Sequence, residues 1–391
     1  MTRNFRKQIT RIGVTHVKRL LVFFGLLVSV LFLSPVMPLT VRADDDGISH
    51  RRGRNIVYVT LDGFRWQELF GGATESFIAK DAGVADVAAV KAKYWRETTE
   101  ERRETLLPFI WKTVAKQGQI FGDPSRNAAA KLENTHKFSY PGYSEMFCGF
   151  ADDEGIKSNS KIPNQHVNVL EYLNQQPKFQ GSVAAIATWN VFPFILNQPR
   201  SGIYCHAGIT PIIGDDLTDR ERLLNDLIAD TVVLWPDNQI DSLVMQASRE
   251  YLQKKKPRVL FIGLGETDEW AHARRYDRYL YSAHRADAFL ASIWNLLQSL
   301  PEYKENTTLL IACDHGRGTT IRDWTDHGAK VDGAEFVWMA ALGPDVKPLG
   351  VRSNVSTTLS QIASTIAILV GEDFPSASPK SAKPLGGLFH E

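Results

Sequence analysis

The sequence predicts an α/β protein built on a mostly parallel sheet with helices on both faces. Apolar, β-branched runs of strand length recur at 55–60, 182–188, 259–264, 307–312 and 336–342. Such near-continuous apolar runs belong to strands covered on both faces. Stretches with helical spacing separate them, the alternation of parallel strands joined by crossovers. The runs also stop in a telling way, on Asp62-Gly63, shortly before Asp268 and His272, and on Asp314-His315-Gly316. Open α/β sheets bind ligands beyond the carboxyl ends of their strands.

The N-terminus is a different object. Basic residues scatter from Arg3 to Arg19, an apolar stretch fills 20–33, and a Pro-containing tail ends Val41-Arg42-Ala43. This reads as a secretory signal peptide over 1–43, with Arg42 an imperfect residue beside the cleavage site. The apolar stretch is short for a membrane span, so no stable membrane anchor is expected. An uncleaved anchor is the alternative. The mature chain, 44–391, is then a single periplasmic or secreted domain with loop and helical insertions at about 65–105 and 160–255. At 43% hydrophobic and 23% charged its composition is ordinary and globular. Residues 1–43 hold seven basic and no acidic side chains, so their removal takes Lys and Arg from 45 to 38 against 44 Asp and Glu, a net charge of −6. That balance excludes a basic footprint for duplex nucleic acid. The three cysteines, Cys148, Cys205 and Cys313, are too few for a disulfide scaffold and lack metal spacing. Cys148 and Cys205 are the pair available for one bridge in an oxidising compartment.

In chain order, the first strand ends in the Asp62-Gly63 turn, and an irregular Ala-rich excursion follows through residue 93. The spacing at 105–118 predicts a helix stopped by Gly118. In KFSYPGYSEMFCGF, Pro141 and Gly142 place Ser139 at a turn before a short helix. Amphipathic helices are expected at 218–234 and 240–255, the second ending in a Lys run suited to a helix C-terminus. A long helix runs from 275 to 300, closed by Pro301, and a last one covers 359–369. There is no internal repeat.

Six residues near strand ends, Asp62, Asp268, His272, Asp314, His315 and His327, combine carboxylate with imidazole. That mixture suits Zn2+ or a similar divalent ion better than Ca2+ or Mg2+, and six ligands fit two ions better than one. Two neighbouring ions can hold both the attacking and the leaving oxygen of an in-line displacement at phosphorus or sulfur. A hydroxyl beside one of them becomes the nucleophile. Ser139 is placed for that role; an N-cap serine is the plain alternative. His166, His206 and His284 lack a strand-end setting and read as ordinary polar residues. Asp323 and Asp326 are either carboxylates orienting His327 or solvated loop residues. Trp189 and Asn190 line either the cleft or the core.

These residues resemble the alkaline phosphatase superfamily, and within it the type I phosphodiesterase/nucleotide pyrophosphatase branch. Asp62-Gly63 matches the branch's Asp-Gly after its first strand. Ser139-Tyr140-Pro141-Gly142-Tyr143 with Gly149 keeps the register of the nucleophile motif Thr-Phe-Pro-Asn-His-Tyr. Asp268 and His272 match Asp-x-x-x-His, Asp314-His315-Gly316 matches Asp-His-Gly, His327 matches the last metal histidine, and Gly155-Ile156 with Asn159 matches a Gly-Ile-x-x-Asn segment. The order holds from about residue 55 to the C-terminal helix.

The resemblance implies a three-layer α/β/α sandwich. It implies two divalent ions, expected to be Zn2+, with Asp62, Ser139, Asp314 and His315 around one and Asp268, His272 and His327 around the other. Asn159 would donate to a non-bridging oxygen in the transition state. The expected substrate is a small phosphate ester, hydrolysed through a covalent phospho-Ser139 intermediate. Ser stands for the branch's usual Thr, and Gly142 and Tyr143 replace its Asn and His, so the branch's substrate preference does not carry over. No Arg follows Pro141 at the sulfatase position, which argues against formylglycine. A phosphoglycerate mutase would carry a large inserted domain and no signal peptide. Tyr140 and Tyr143 suggest an apolar wall beside Ser139, and so diesters over monoesters, with Lys157 standing in solvent. The other readings kept open are a phosphomonoesterase, a sulfatase-like or mutase-like member, and a catalytically idle metal-binding protein.

Overall fold

The central element is an eight-stranded sheet with strand order β10-β2-β9-β7-β1-β6-β4-β5. The computed structural model describes residues 54–390; the expected signal peptide, 1–43, lies outside the described residues. The strands are β1 (Asn55–Leu61), β2 (Gln119–Phe121), β4 (Val183–Ala187), β5 (Tyr204–Ala207), β6 (Val259–Leu264), β7 (Thr307–Ala312), β9 (Met339–Leu342) and β10 (Gly350–Val351). Five consecutive strands, β7-β1-β6-β4-β5, pair in parallel, whereas β9 runs antiparallel to both β7 and β2. A small second sheet joins β3 (Ala130–Lys131), β8 (Phe336–Val337) and β11 (Thr357–Thr358).

Period-2 alternation divides each central strand between two cores. Val57, Val59 and Leu61 of β1 enter one hydrophobic cluster, with Leu280 and Leu290 of the helix Tyr276–Ser299. Ile56 and Tyr58 enter the other, with Met146, Phe147 and Ile366 of the helices Ser139–Cys148 and Gln361–Leu369. The sheet is therefore the middle of three layers. The long helix is amphipathic for the same reason, since Tyr276, Tyr279, Leu280, Ala283, Ala286, Leu290, Ile293 and Leu297 repeat at three- and four-residue intervals and are all buried.

Four expectations need correction. The helix expected at 105–118 is broken: one helix, Thr99–Leu106, ends before Pro108, and a wide turn at Ile110–Val114 follows, then Ala115–Gln117. Pro108 disfavours helical geometry at Leu107. The restart is capped by Asp287, whose carboxylate accepts from the Phe109 and Ile110 amides at 2.8 and 2.9 Å. The helix expected over 218–234 covers only Asp219–Asp230, because Thr231 turns extended ahead of the β-branched pair Val232-Val233. The apolar run 336–342 is split at Trp338, whose indole donates to the Phe64 carbonyl while the chain passes from the small sheet to the large one. The stretch 160–255, read as loop and helical insertion around the expected strand at 182–188, also supplies β5 of the sheet. All three cysteines are free, Cys148 lying beside Ser144 and Asn164.

Burial pushes the Asp287 carboxyl up to about 7, against the pull of its two amide bonds. Asp287→Ala leaves both amides of the restarted turn unpaired in the core. It is expected to cost about 2 kcal/mol, read as a lowered midpoint of urea unfolding with an unchanged slope.

Candidate metal centre and nucleophile

The sheet brings the candidate residues together at one end. β1 delivers Asp62, and β7, beside it, delivers Asp314 and His315. β6, on the other side of β1, leads into the helix Glu266–His272 with Asp268 and His272. Gly63 turns at φ +58°, and a Cβ there would lie 2.7 Å from Asp268 Oδ1, so glycine is what lets the Asp62 turn nest against the Asp268 helix. Gly142 has the same function beneath Ser139, since a Cβ there would meet the Asp314 carbonyl oxygen at 2.4 Å.

Asp62, Asp314 and His315 form one group, their nearest ligand atoms all within 4.8 Å of one another. Each is held from behind. The Tyr143 hydroxyl donates to Asp62 Oδ2 at 3.0 Å, and the Gly63 amide donates to Asp314 Oδ1 at 3.0 Å. His315 Nδ1 donates to the Gly316 carbonyl at 3.0 Å, which turns Nε2 toward the two carboxylates. Asp62 Oδ1 and Asp314 Oδ2 are buried without any hydrogen-bond partner, and they stand 3.3 and 3.5 Å from that same Nε2. Two buried carboxylate oxygens converging on one imidazole nitrogen fit a divalent cation, which would take the place of the proton the ring holds there in the metal-free site.

Protonation reflects the same crowding. Burial, and then the Asp62 charge, push Asp314 up to about 8. Burial alone would lower His315, but Asp314 and Asp62 together outweigh it and hold the ring at about 9.

The second group is looser. Asp268, His315 and His327 approach within the same 4.8 Å; His272 Nε2 lies 3.3 Å from Asp268 Oδ2 and 3.0 Å from His327 Nε2. His315 thus borders both groups, its ring centroid 4.0 Å from that of His327. Burial, followed by the His315 charge, holds His272 and His327 below their ordinary range and so in the neutral, ligating form. The His327 Nδ1 faces the Lys137 carbonyl at 3.3 Å. That carbonyl has the orienting role considered for Asp323 and Asp326; Asp323 instead accepts from Thr320. The buried Arg317 pairs with Asp268 Oδ1 and also donates to the Gly63 and Thr325 carbonyls.

Ser139 is the first residue of its helix. The N-cap is Phe138, and no side chain caps the helix, so the Ser139 hydroxyl is free of the capping role. Its Oγ lies 3.3 Å from His315 Nε2. The approach to it is fixed by Glu145, which is buried in the same helix and accepts from the Glu133 and Asn134 amides and the Asn134 side chain. Asn159 Oδ1 accepts from the Tyr140 amide at 2.9 Å, which commits its oxygen and leaves its NH2 to donate into the cleft.

Asp62, Ser139, Asn159, Asp268, His272 and His327 line one cavity of about 220 Å³. Tyr140 and Tyr143, expected as its aromatic wall, do not. Both are at most 2% exposed, Tyr140 donating to the Ile162 carbonyl and Tyr143 to Asp62. On a helix whose every residue is buried, side chains next to Ser139 point into the core. The aromatic wall comes from Trp189 and Trp235 instead. Trp235 had no motif to announce it; the only signal was the Pro-Asp-Asn loop that follows. His166, His206 and His284 stay out of the site, as expected: His166 pairs with Asp152 and His284 with the Leu106 carbonyl, and His206 is buried on β5.

Residues 206–373 match the metalloenzyme superfamily model. No curated protein matches the chain by sequence. Among solved structures, the chain is similar to wild-type alkaline phosphatase PafA at 12% identity, covering 87% of this chain and 99% of that one with a TM-score of 0.54. Lipoteichoic acid synthase LtaP from Listeria monocytogenes is similar at 11% identity, with 85% and 76% covered and a TM-score of 0.52. A putative sulfatase from Bacteroides thetaiotaomicron is similar at 13% identity, with the same coverage and TM-score. The chain is thus similar to the metalloenzyme superfamily over residues 206–373 and has the alkaline-phosphatase-like α/β fold.

Proposed function

We propose that the protein is a secreted hydrolase of phosphate esters that holds two divalent ions, Zn2+ by donor chemistry, and works through Ser139. The observation that carries this reading is the free Ser139 hydroxyl beside His315 Nε2 and two buried, partnerless carboxylate oxygens. Asp62, Asp314, His315 and Ser139 would hold one ion and Asp268, His272 and His327 the other. When bound, the ions supply Lewis-acid stabilisation of the attacking and leaving oxygens.

Ser139 Oγ attacks phosphorus in line, and the bond to the leaving alcohol breaks as the Ser139–phosphorus bond forms. The proton that Ser139 gives up passes to solvent, and solvent water returns one to the departing alcohol, so the step is proton-neutral. Asn159, its carbonyl oxygen pinned by Tyr140, keeps an NH2 available to a non-bridging oxygen as charge develops. Water then attacks the phospho-Ser139 ester from the vacated side and returns the hydroxyl. Two inversions leave the configuration at phosphorus retained.

A diester is favoured over a monoester by the charge of the cavity. Its lining has no lysine or arginine, whereas a dianionic monoester needs a cation opposite its third oxygen. The neighbouring cations are committed elsewhere: Lys137 to Glu335, Lys161 to Asp237, Arg274 to the Ile321 and Arg322 carbonyls, Arg275 to Asp277, and Arg317 to Asp268. Lys157 is exposed and lines a different depression, with Tyr140 and Ile162.

Metal analysis with turnover of p-nitrophenyl phosphate and bis-p-nitrophenyl phosphate tests the reading. The diester is expected to have the higher kcat/KM, by tenfold or more, and Lys157→Ala to leave the ratio within twofold. A monoester preference that collapses in Lys157→Ala would reverse the assignment. A metal-loaded protein idle on both would point to a binding protein.

A further inference from the structure

We propose that the cavity beside Ser139 contains a subsite for an alkylammonium group, so that the preferred phosphodiesters carry a choline- or ethanolamine-type alcohol on one side. This deepens the hydrolase reading and rests on it.

Beyond the candidate metal ligands, the cavity is walled by Trp189, Trp235, Pro236, Asn238 and Glu269. The wall is built rather than incidental. The strap after the helix Asp219–Asp230 runs back across the end of β4, where Asn238 bridges Trp189 in antiparallel fashion. The Asn190 amide donates to the Asp237 carbonyl at 2.9 Å, and the Gln239 amide to the Thr188 carbonyl at 2.8 Å. These bonds bring one indole from the strap and one from the strand end to the same opening. Trp235 is further seated edge-on against Trp270, centroids 4.9 Å apart, on the helix that carries Asp268 and His272.

The electrostatics of the wall point to a cation. Its two carboxylates differ in how they are compensated. Asp237 pairs with Lys161 at 3.1 Å and accepts from Asn190. Glu269 accepts only from the neutral amide of Asn238, and among the described residues no lysine or arginine reaches it. Asn238 Oδ1, on the cavity lining, is a buried acceptor without a donor. Two indoles, an uncompensated carboxylate and an acceptor lacking a donor suit a group that is positive and partly apolar. Cation–π attraction and a carboxylate are the usual means of recognising alkylammonium ions. A base or a second phosphate would find the same aromatic surface but would face Glu269.

The test uses metal-loaded protein and p-nitrophenyl phosphorylcholine against its neutral carbon isostere, p-nitrophenyl 3,3-dimethylbutyl phosphate. The choline ester is expected to have at least a tenfold higher kcat/KM, and Trp235→Ala and Glu269→Gln each to bring the ratio below threefold. p-Nitrophenyl phosphorylethanolamine separates the sources: faster turnover than the choline ester assigns Asn238 Oδ1 a hydrogen-bonding part, slower turnover a mainly aromatic site. A wild-type ratio near one, or a stronger preference for thymidine 5′-(p-nitrophenyl phosphate), overturns the subsite and leaves the hydrolase standing. If no ester turns over, the hydrolase reading fails and calorimetric titration with choline decides the subsite. Saturable binding weakened fivefold or more by Trp235→Ala upholds it, and the absence of binding overturns it.

Discussion

Ser139→Ala is expected to lower kcat/KM on the best phosphodiester by about 10⁴-fold or more, the scale of loss when a covalent nucleophile is removed. That corresponds to roughly 5.5 kcal/mol of transition-state stabilisation. The size follows from how little else in the cleft could replace the hydroxyl. Tyr140 and Tyr143 are buried with committed hydroxyls, and Ser144 lies one turn deeper beside Asn164 and Cys148. The fold should be untouched, because the Ser139 side chain caps nothing. Asp62, Asp314 and His315 remain, so the variant should keep its metal by elemental analysis. Loss of activity with metal retained shows that Ser139 acts as the nucleophile and that the other three groups suffice to hold the ion; a variant within tenfold of wild type would mean that water attacks directly.

Metal removal should make the protein's stability strongly pH-dependent. In the metal-free site Asp314 is raised to about 8 and His315 to about 9. Both values exceed those of the unfolded chain, about 3.9 and 6.5. The folded metal-free protein therefore holds protons that the unfolded chain releases, and stability falls as pH rises wherever that holds. Asp314 and His315 titrate as a coupled pair, so the loss belongs to the pair and is complete only above the raised folded-state values. Ligation needs the carboxylate charged and the imidazole neutral, so metal competes with these same protons. Apparent metal affinity should climb steeply with pH between 6 and 9 and then level off. Thermal melts with and without chelator at pH 6, 7, 8 and 9 would show it as a Tm gap that widens with pH. A gap that is constant or narrows would mean that these two groups are not the ligands.

Three of the candidate ligands were legible because each is written at the end of a strand. Asp62, Asp314 and His315 directly follow β-branched apolar runs, and a parallel sheet places such ends on one edge. Asp268 and His272 were legible through their i, i+4 spacing, which puts both on one side of a helical turn. Ser139 was legible as a turn residue but not as a free hydroxyl, since an N-cap and an N1 residue look alike in sequence. The aromatic wall was misread, because adjacency to Ser139 was taken for exposure. Trp235 and Asn238 lie in a loop whose position is set by pairing with Trp189, some fifty residues earlier.

The sequence by itself determined the parallel sheet, its three-layer burial and the edge at which the ligand-type residues gather. Those features follow from local periodicity and from where apolar runs stop. Only the tertiary structure decided which atoms face each other. Asp62 Oδ1 and Asp314 Oδ2 are left bare because Tyr143 and Gly63 take the other two oxygens. Arg317 sits on Asp268, and the cleft carries indoles and an uncompensated Glu269 in place of a cation. Those outcomes depend on contacts between segments tens to hundreds of residues apart, whose geometry is fixed by packing and not by neighbours in the chain.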